Sequence, residues 1–237
     1  MIRIPATTQQ NLIVSKSDSV VYPPIDMETI DNVLKNAPSA VLKQEQALNL
    51  LDAIGITRER TLVATNIDQA REAVTDIGFP INMETILLRD GESKPVVEHI
   101  TDRNTMRLEF GRLMETPDAS GVLFRPTLSG STVYLGIRKR EGIGHFVVFG
   151  SVSKTDNKPS GFVFCTLPVT KQEAALAYQR VKEDNQINEV IFTDAMRRLS
   201  ALCAYAPQIE KMDIFTVVVN ARSLVALDAA VTIRRSI

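Results

Sequence analysis

This sequence of 237 residues lacks the features that mark several classes of protein. It has two cysteines, Cys165 and Cys203, too few for the disulfide framework of a small secreted domain. Neither cysteine has a Cys or His neighbour at the spacing of a metal site, and the two histidines, His99 and His145, are far apart. No apolar run approaches the ~18 residues needed to cross a bilayer.

The chain also lacks an excess of charge. Its 27 Lys and Arg and 28 Asp and Glu leave a formal net charge of −1, which argues against electrostatic binding of nucleic acid. Hydrophobic residues make up 44% of the chain and charged residues 23%, as in a globular protein and unlike a disordered one. The N-terminus shows no basic region followed by an apolar core, so we expect a cytoplasmic protein without a membrane partner.

Common catalytic motifs are absent as well. The sequence contains no phosphate-binding P-loop, no dinucleotide-binding glycine fingerprint and no nucleophile elbow. The basic run Arg138-Lys139-Arg140 could meet phosphates or could be a solvated turn. Asp213 and Asp228 could together hold Mg²⁺, or could be the polar residues that commonly end strands.

The order of predicted elements is mixed. Residues 1–25 read as an N-terminal arm or linker, followed by a short helix from Asp26. Ala47, Leu50, Leu51 and Ile54 fall on one helix face that ends at Gly55, and a second helix runs from Asn66 to Gly78.

Strands dominate the middle of the chain. Val133, Leu135 and Ile137 alternate with Tyr134, Gly136 and Arg138, which predicts a strand with one exposed face over 132–138. A helix begins at Thr170, where Glu173 completes a capping box, and a further helix precedes Pro207. Two strands, 213–219 and 224–233, come last. Helices interspersed with hairpins favour an α+β fold over a doubly wound parallel sheet.

Seven short strings stand in a recognisable order, at 51–56, 76–81, 121–125, 132–137, 143–150, 210–219 and 225–229. Together they resemble the ATP-grasp domain of ADP-forming acyl-CoA synthetases, the family of the acetate–CoA ligase β subunit, from Asp26 to Ile237. The resemblance implies two α+β lobes with a nucleotide cleft between them. It implies an arm over 1–25, helices and the first lobe over 26–125, and the second lobe over 126–237.

The sequence departs from this family at positions that the family uses. Glu84 stands where the family has a phosphate-binding lysine, Cys165 where it has an arginine, and Phe215 where it has a metal-binding asparagine. A histidine is missing from 90–94, and a pair of glycines from 151–156. An anion in place of a cation beside a polyphosphate costs ~1–4 kcal/mol at 4 Å. Phosphoryl transfer depends on such charge stabilisation.

The resemblance also implies where a nucleotide would lie. It places the adenine-facing segment at Phe124, Arg125, Pro126 and Thr127 and assigns Asp228 as a ligand of Mg²⁺, so the implied cofactors are ATP and Mg²⁺. The implied partner is a CoA-binding α-type subunit or domain, in an oligomer. Core packing of Phe124 and a surface ion pair of Arg125 are the structural alternatives.

Three interpretations follow from the sequence. The chain is a degenerate ATP-grasp domain with a binding or scaffold role and no assigned catalytic residue. Alternatively, it is an active acid–thiol ligase β subunit that binds Mg-ATP with rearranged ligands, Lys94 partly replacing the lost lysine. In the third, it is an unrelated α+β interaction protein, since fold alone does not fix function.

Overall fold

A computed structural model describes residues 21–88, 94–152, 159–182 and 186–234. Within these ranges the chain forms two antiparallel β-sheets, each covered by helices on one face. The helices are α1 Met27–Lys35, α2 Gln44–Ala53, α3 Ile67–Ile77, α4 Arg103–Met114, α5 Lys171–Tyr178 and α6 Glu189–Tyr205. The strands are β1 Leu62–Ala64, β2 Ile81–Leu87, β3 Val96–Ile100, β4 Ala119–Pro126, β5 Ser131–Arg140, β6 Gly144–Val152, β7 Pro159–Thr166, β8 Ile209–Val219, β9 Leu224–Ala226 and β10 Ala230–Ile233.

The small sheet has four strands in the order β1-β4-β2-β3. Along β2, buried and half-buried residues alternate, because successive side chains point to opposite faces. Ile81 and Met83 point to the face that α3 and α4 cover, where they join the core around Phe110 and Phe124. Glu84 therefore points to the opposite face, which we call the open face of the small sheet.

The large sheet has the order β10-β8-β5-β6-β7, with β9 also paired to β8. Its covered face packs against α1, α2, α5 and α6, with Leu135, Phe149 and Phe192 in the core. The first two helices precede the small sheet in the sequence, yet Ile30 and Leu50 belong to the core of the large sheet. The proposed boundary near residue 125 stays a prediction.

Local sequence signals set the ends of several helices. The Asn66 side chain accepts a hydrogen bond from the Gln69 backbone N–H at 3.0 Å, which confirms the predicted start of α3. Thr170 and Glu173 form the predicted capping box of α5. The helix ends at Tyr178. Gly55 follows α2 with φ +75, a conformation that glycine adopts without strain.

The predicted strand over 224–233 is wrong, because the structure divides it into β9 and β10. The strand β9 pairs with Val217–Val219, whereas β10 pairs with the other half of β8. Between the two halves, Thr216 has φ 55, and the pairing of β5 with β8 shifts register nearby. The segment that pairs with this edge of β8 is therefore interrupted as well. Asp228 lies in the interruption, outside the pairing of β9 and of β10 with β8.

No helix among the described residues combines the length and the apolar character that crossing a membrane requires.

Candidate functional site

The predicted adenine-facing segment lies where β4 leaves the small sheet. Phe124 is fully buried, and its ring centroid is 6.2 Å from that of Phe110, so its side chain packs in the core. Thr127 donates its hydroxyl proton to Asn82 Oδ1 at 2.6 Å and its backbone N–H to the Pro80 carbonyl oxygen at 2.9 Å. Internal partners therefore already satisfy both hydrogen-bond donors of Thr127.

Arg125 forms an ion pair with Glu84 across the neighbouring strands β4 and β2. The two side chains are 29% and 22% exposed, so water reaches both. A second carboxylate lies close by, since burial raises the pKa of Glu59 and the positive charge of Arg125 opposes that rise. The Arg125 guanidinium thus pairs with one carboxylate on the open face and acts electrostatically on a second, Glu59, which precedes β1.

The open face of the large sheet carries a network around a buried carboxylate. Asp213, on β8, has a side chain only 5% exposed. One of its oxygens accepts the hydroxyl proton of Tyr134 at 2.6 Å and pairs with Arg138, and the other lies 2.7 Å from Lys211 Nζ. Burial alone would raise the pKa of Asp213, but hydrogen bonds from Lys211, Tyr134 and Arg138 outweigh it and lower the pKa.

Aromatic rings extend over the same open face. Tyr134 has ring centroids of Phe162 and Phe215 at 6.1 and 6.0 Å, and Phe164 continues the row at 6.1 Å from Phe162. The three phenylalanines are exposed, but Tyr134 is only 5% exposed. Tyr134 is buried although it lies on this open face, because the ring lies against the sheet and beneath its aromatic neighbours.

Asp228 lies beside α2. One of its carboxylate oxygens accepts from Gln44 Nε2 at 2.9 Å and from the Ala229 backbone N–H at 2.7 Å. The partners of Asp228 differ from those of Asp213, so each carboxylate has a structural role of its own. Across the described part of the chain, no three His, Cys, Asp or Glu side chains converge to form a metal site. Binding of Mg²⁺ by Asp228 stays a prediction.

Cys165 lies on the covered face of the large sheet, in the core beneath α5. Burial raises the pKa of its thiol, while Glu173 adds to this rise and Arg180 opposes it. Its neighbour Phe164 points to the open face instead. The segments that lack the family's histidine and pair of glycines fall mainly on 90–93 and 153–156, which lie outside the described residues.

A large cavity of about 980 Å³ opens between α2 and the segment that leads into β1. Arg58 lines it and pairs with Asp52 at 2.8 Å, whereas Arg60 pairs with Asp76 at 3.2 Å. None of the four residues of the predicted adenine-facing segment lines this cavity.

Sequence reasoning missed the network around Asp213. A signal existed, because the alternation along β5 places Tyr134, Gly136 and Arg138 on one face. What the sequence does not reveal is that β8 lies beside β5, with Gly136 directly opposite Asp213.

The fold and its two sheets define the class of protein. A model of the family described as "ATP-grasp domain" matches residues 32–233, so the chain belongs to the ATP-grasp family. The chain is 26% identical over 209 residues to acetate–CoA ligase [ADP-forming] II of Archaeoglobus fulgidus, covering 81% of this chain but 30% of the ligase. It is 25% identical over 167 residues to acetate–CoA ligase [ADP-forming] II subunit beta of Pyrococcus furiosus, covering 66% of this chain and 70% of that subunit.

Solved structures show the same fold. Acetyl-coenzyme A synthetase 1 of Ca. Korarchaeum cryptofilum, in complex with coenzyme A and Mg-AMPPCP, aligns with a TM-score of 0.63 at 16% identity. The alignment covers 88% of this chain and all of the matched chain. The predicted α+β ATP-grasp fold is therefore confirmed, and the chain is related to the ATP-grasp region of ADP-forming acyl-CoA synthetases.

Proposed function

We propose that this chain keeps the ATP-grasp fold of ADP-forming acyl-CoA synthetases but has reduced or lost their ATP-dependent ligase chemistry. It then acts as a binding or scaffold subunit. The ion pair between Glu84 and Arg125 carries this proposal. The family resemblance implies a cation for the nucleotide phosphates at the strand position of Glu84. This chain has an anion there instead, and it pairs with the guanidinium of Arg125.

The charges explain why this arrangement disfavours a polyphosphate. The phosphates would meet the Glu84 carboxylate at short range, and Arg125 could turn to them only by leaving that carboxylate unpaired. Glu59 adds a further carboxyl group close to the same guanidinium. A nucleotide would therefore lose much of the electrostatic attraction that phosphoryl transfer requires.

The residues also fit Mg²⁺ poorly. The cation prefers oxygen ligands, and the phenyl ring of Phe215, at the position implied for an amide ligand, supplies none. Asp228 offers a carboxylate, but one of its two oxygens already accepts two hydrogen bonds. We therefore derive no catalytic step through Mg-ATP.

The partner that we propose is a CoA-binding α-type subunit or domain. The support is that the Pyrococcus furiosus relative is itself a β subunit. A chain that retains the fold without the chemistry could still form the contacts of such an assembly.

Titration with Mg-ATP by isothermal calorimetry tests the loss of chemistry, with ADP and CoA as control ligands. We expect no heat of binding up to millimolar nucleotide and no shift of the melting temperature. A ligand at 100 times its Kd would instead stabilise the fold by ~2.7 kcal/mol. Micromolar, magnesium-dependent binding would overturn the proposal and would favour an active ligase β subunit.

A pair of variants tests the residues named. Glu84→Lys combined with Phe215→Asn restores the implied lysine and amide, and we expect it to gain measurable affinity for Mg-ATP. Glu72→Lys makes the same charge change on the exposed surface of α3 and should gain none. The absence of a gain in the double variant would mean that these two positions are not what weakened binding.

A further inference from the structure

The Tyr134 ring lies directly on the backbone of Gly136, on the open face of the large sheet. A Cβ atom at Gly136 would lie 2.9 Å from Tyr134 Cζ and 2.8 Å from the Met212 carbonyl oxygen, both closer than real contacts allow. A glycine inside a strand often marks a place where a ligand or another group approaches the backbone closely. Here a side chain of the protein itself makes that approach.

Several contacts hold the ring in this place. Its hydroxyl group donates to Asp213 Oδ1 at 2.6 Å and accepts from Arg138 Nη2 at 2.6 Å. The Arg138 guanidinium carbon lies 5.8 Å from the centre of the ring, and Phe162 and Phe215 flank it on two sides. Tyr134 is therefore fixed in the floor of the face and is not free to swing into solvent.

The position of the ring bears on nucleotide binding. Phe215 contacts Tyr134 on this face, so a metal ion held by an amide at position 215 would lie beside the ring. The phosphates bound to that ion would then lie near the neighbouring strand β5, where the Tyr134 ring already covers the buried Gly136.

We infer that Tyr134 is a built-in block of the phosphate-binding part of this face: its ring occupies the space above Gly136 that a bound nucleotide would need. This inference rests on the proposed function and adds a steric cause to the electrostatic one. Phosphates could enter only by displacing the ring, which would break its hydrogen bonds to Asp213 and Arg138.

The test compares two substitutions of Tyr134 in the Glu84→Lys, Phe215→Asn background, using calorimetric titration with Mg-ATP. Tyr134→Ile removes the ring, and we expect it to lower the Kd by at least about tenfold. Tyr134→Phe removes the hydroxyl group but keeps the ring, and should leave the Kd within about threefold of the background value. Equal Kd values for the two variants, or no binding by either, would overturn the inference.

Folding of the variants is checked by urea unfolding, and Tyr134→Val provides a second ring-free variant if Tyr134→Ile does not fold. The wild-type titration keeps the two proposals apart. Micromolar binding by the wild type, which carries Tyr134, would refute both the loss of ATP chemistry and the block, whereas no binding by the wild type with equal Kd values for the Ile and Phe variants would refute the block alone.

Discussion

The open faces of the two sheets differ in how they hold their charges. On the small sheet, Glu84 and Arg125 form a pair that water reaches from one side. On the large sheet, Asp213 is withdrawn from water and has three partners, Tyr134, Arg138 and Lys211. Among the described residues, helices cover one face of each sheet, so the difference arises in the side chains of the other face.

This difference predicts unequal contributions to stability. An ion pair that water reaches gains little, because solvent screens it and the side chains lose conformational freedom. A buried carboxylate with several hydrogen-bond donors behaves as one unit, and its removal takes the shared acceptor from all of its partners at once. We therefore expect the large sheet to be far more sensitive to changes on its open face.

Asp213→Ala should have the largest effect. It leaves two cations and a tyrosine hydroxyl group without their common acceptor, and we expect a loss of about 3–5 kcal/mol in the free energy of unfolding at pH 7. Urea unfolding measures this loss. The matched control is Glu210→Ala on the same strand, where the lost partner is the exposed Arg234 and the cost should stay below about 1 kcal/mol. Similar losses in the two variants would contradict the comparison.

The contribution of Asp213 to the stability of the fold depends on pH with a definite sign. The pKa of Asp213 is lowered in the folded state, so its charged form stabilises the fold above the unfolded pKa of ~3.9. This contribution disappears as the pH falls below that value and through the folded pKa. The difference between wild type and Asp213→Ala should therefore shrink in acid.

Gly136→Ala should have the next largest effect. The new methyl group would press on the Met212 carbonyl oxygen and on the Tyr134 ring, and overpacking of this kind costs about 1–3 kcal/mol. Gly111→Ala is the control, because its Cβ meets nothing within 4 Å and alanine favours the helix by about 0.5–1 kcal/mol. Thermal unfolding of both variants should show shifts of opposite sign, and a shift of the same sign would contradict the close approach of neighbouring atoms to Gly136.

Glu59→Gln should have the smallest effect and should stabilise the fold. Burial raises the pKa of Glu59, so its ionised form costs stability at neutral pH, and that cost is relieved as the pH falls through the raised pKa. We expect Gln to increase the free energy of unfolding at pH 7, with an advantage that fades near pH 4. Urea titrations at both pH values measure this, with the exposed Glu98→Gln as the control. A loss of stability at pH 7 would mean that attraction to Arg125 outweighs burial.

Local features were predictable from the sequence. Asn66 and Gly78 mark the two ends of α3, because caps act within one turn of the helix. The core role of Phe124 was one of the two stated alternatives, and an ion pair of Arg125 was another. These features depend on residues close in the sequence or on general burial preferences, so a single sequence carries them.

Features that depend on strand order were not predictable. Tyr134 and Asp213 meet only because β5 and β8 are neighbours, and nothing near either residue indicates this pairing. For the same reason, the sequence leaves the basic run at Arg138-Lys139-Arg140 open between a phosphate site and a solvated turn. In the structure, Arg138 pairs with Asp213, and Lys139 donates to the Pro207 carbonyl oxygen at 2.8 Å.

The burial of both cysteines has a practical consequence. Burial raises the pKa of Cys165 and raises that of Cys203 to about 12, so neither thiol forms the thiolate that reacts with maleimides near neutral pH. Cysteines introduced at Leu108 on α4 and Leu176 on α5, which are 74% and 63% exposed, would therefore take up spin labels selectively. Because one label would sit on the helices of each sheet, pulsed resonance measurements could follow the distance between the two halves when a partner binds.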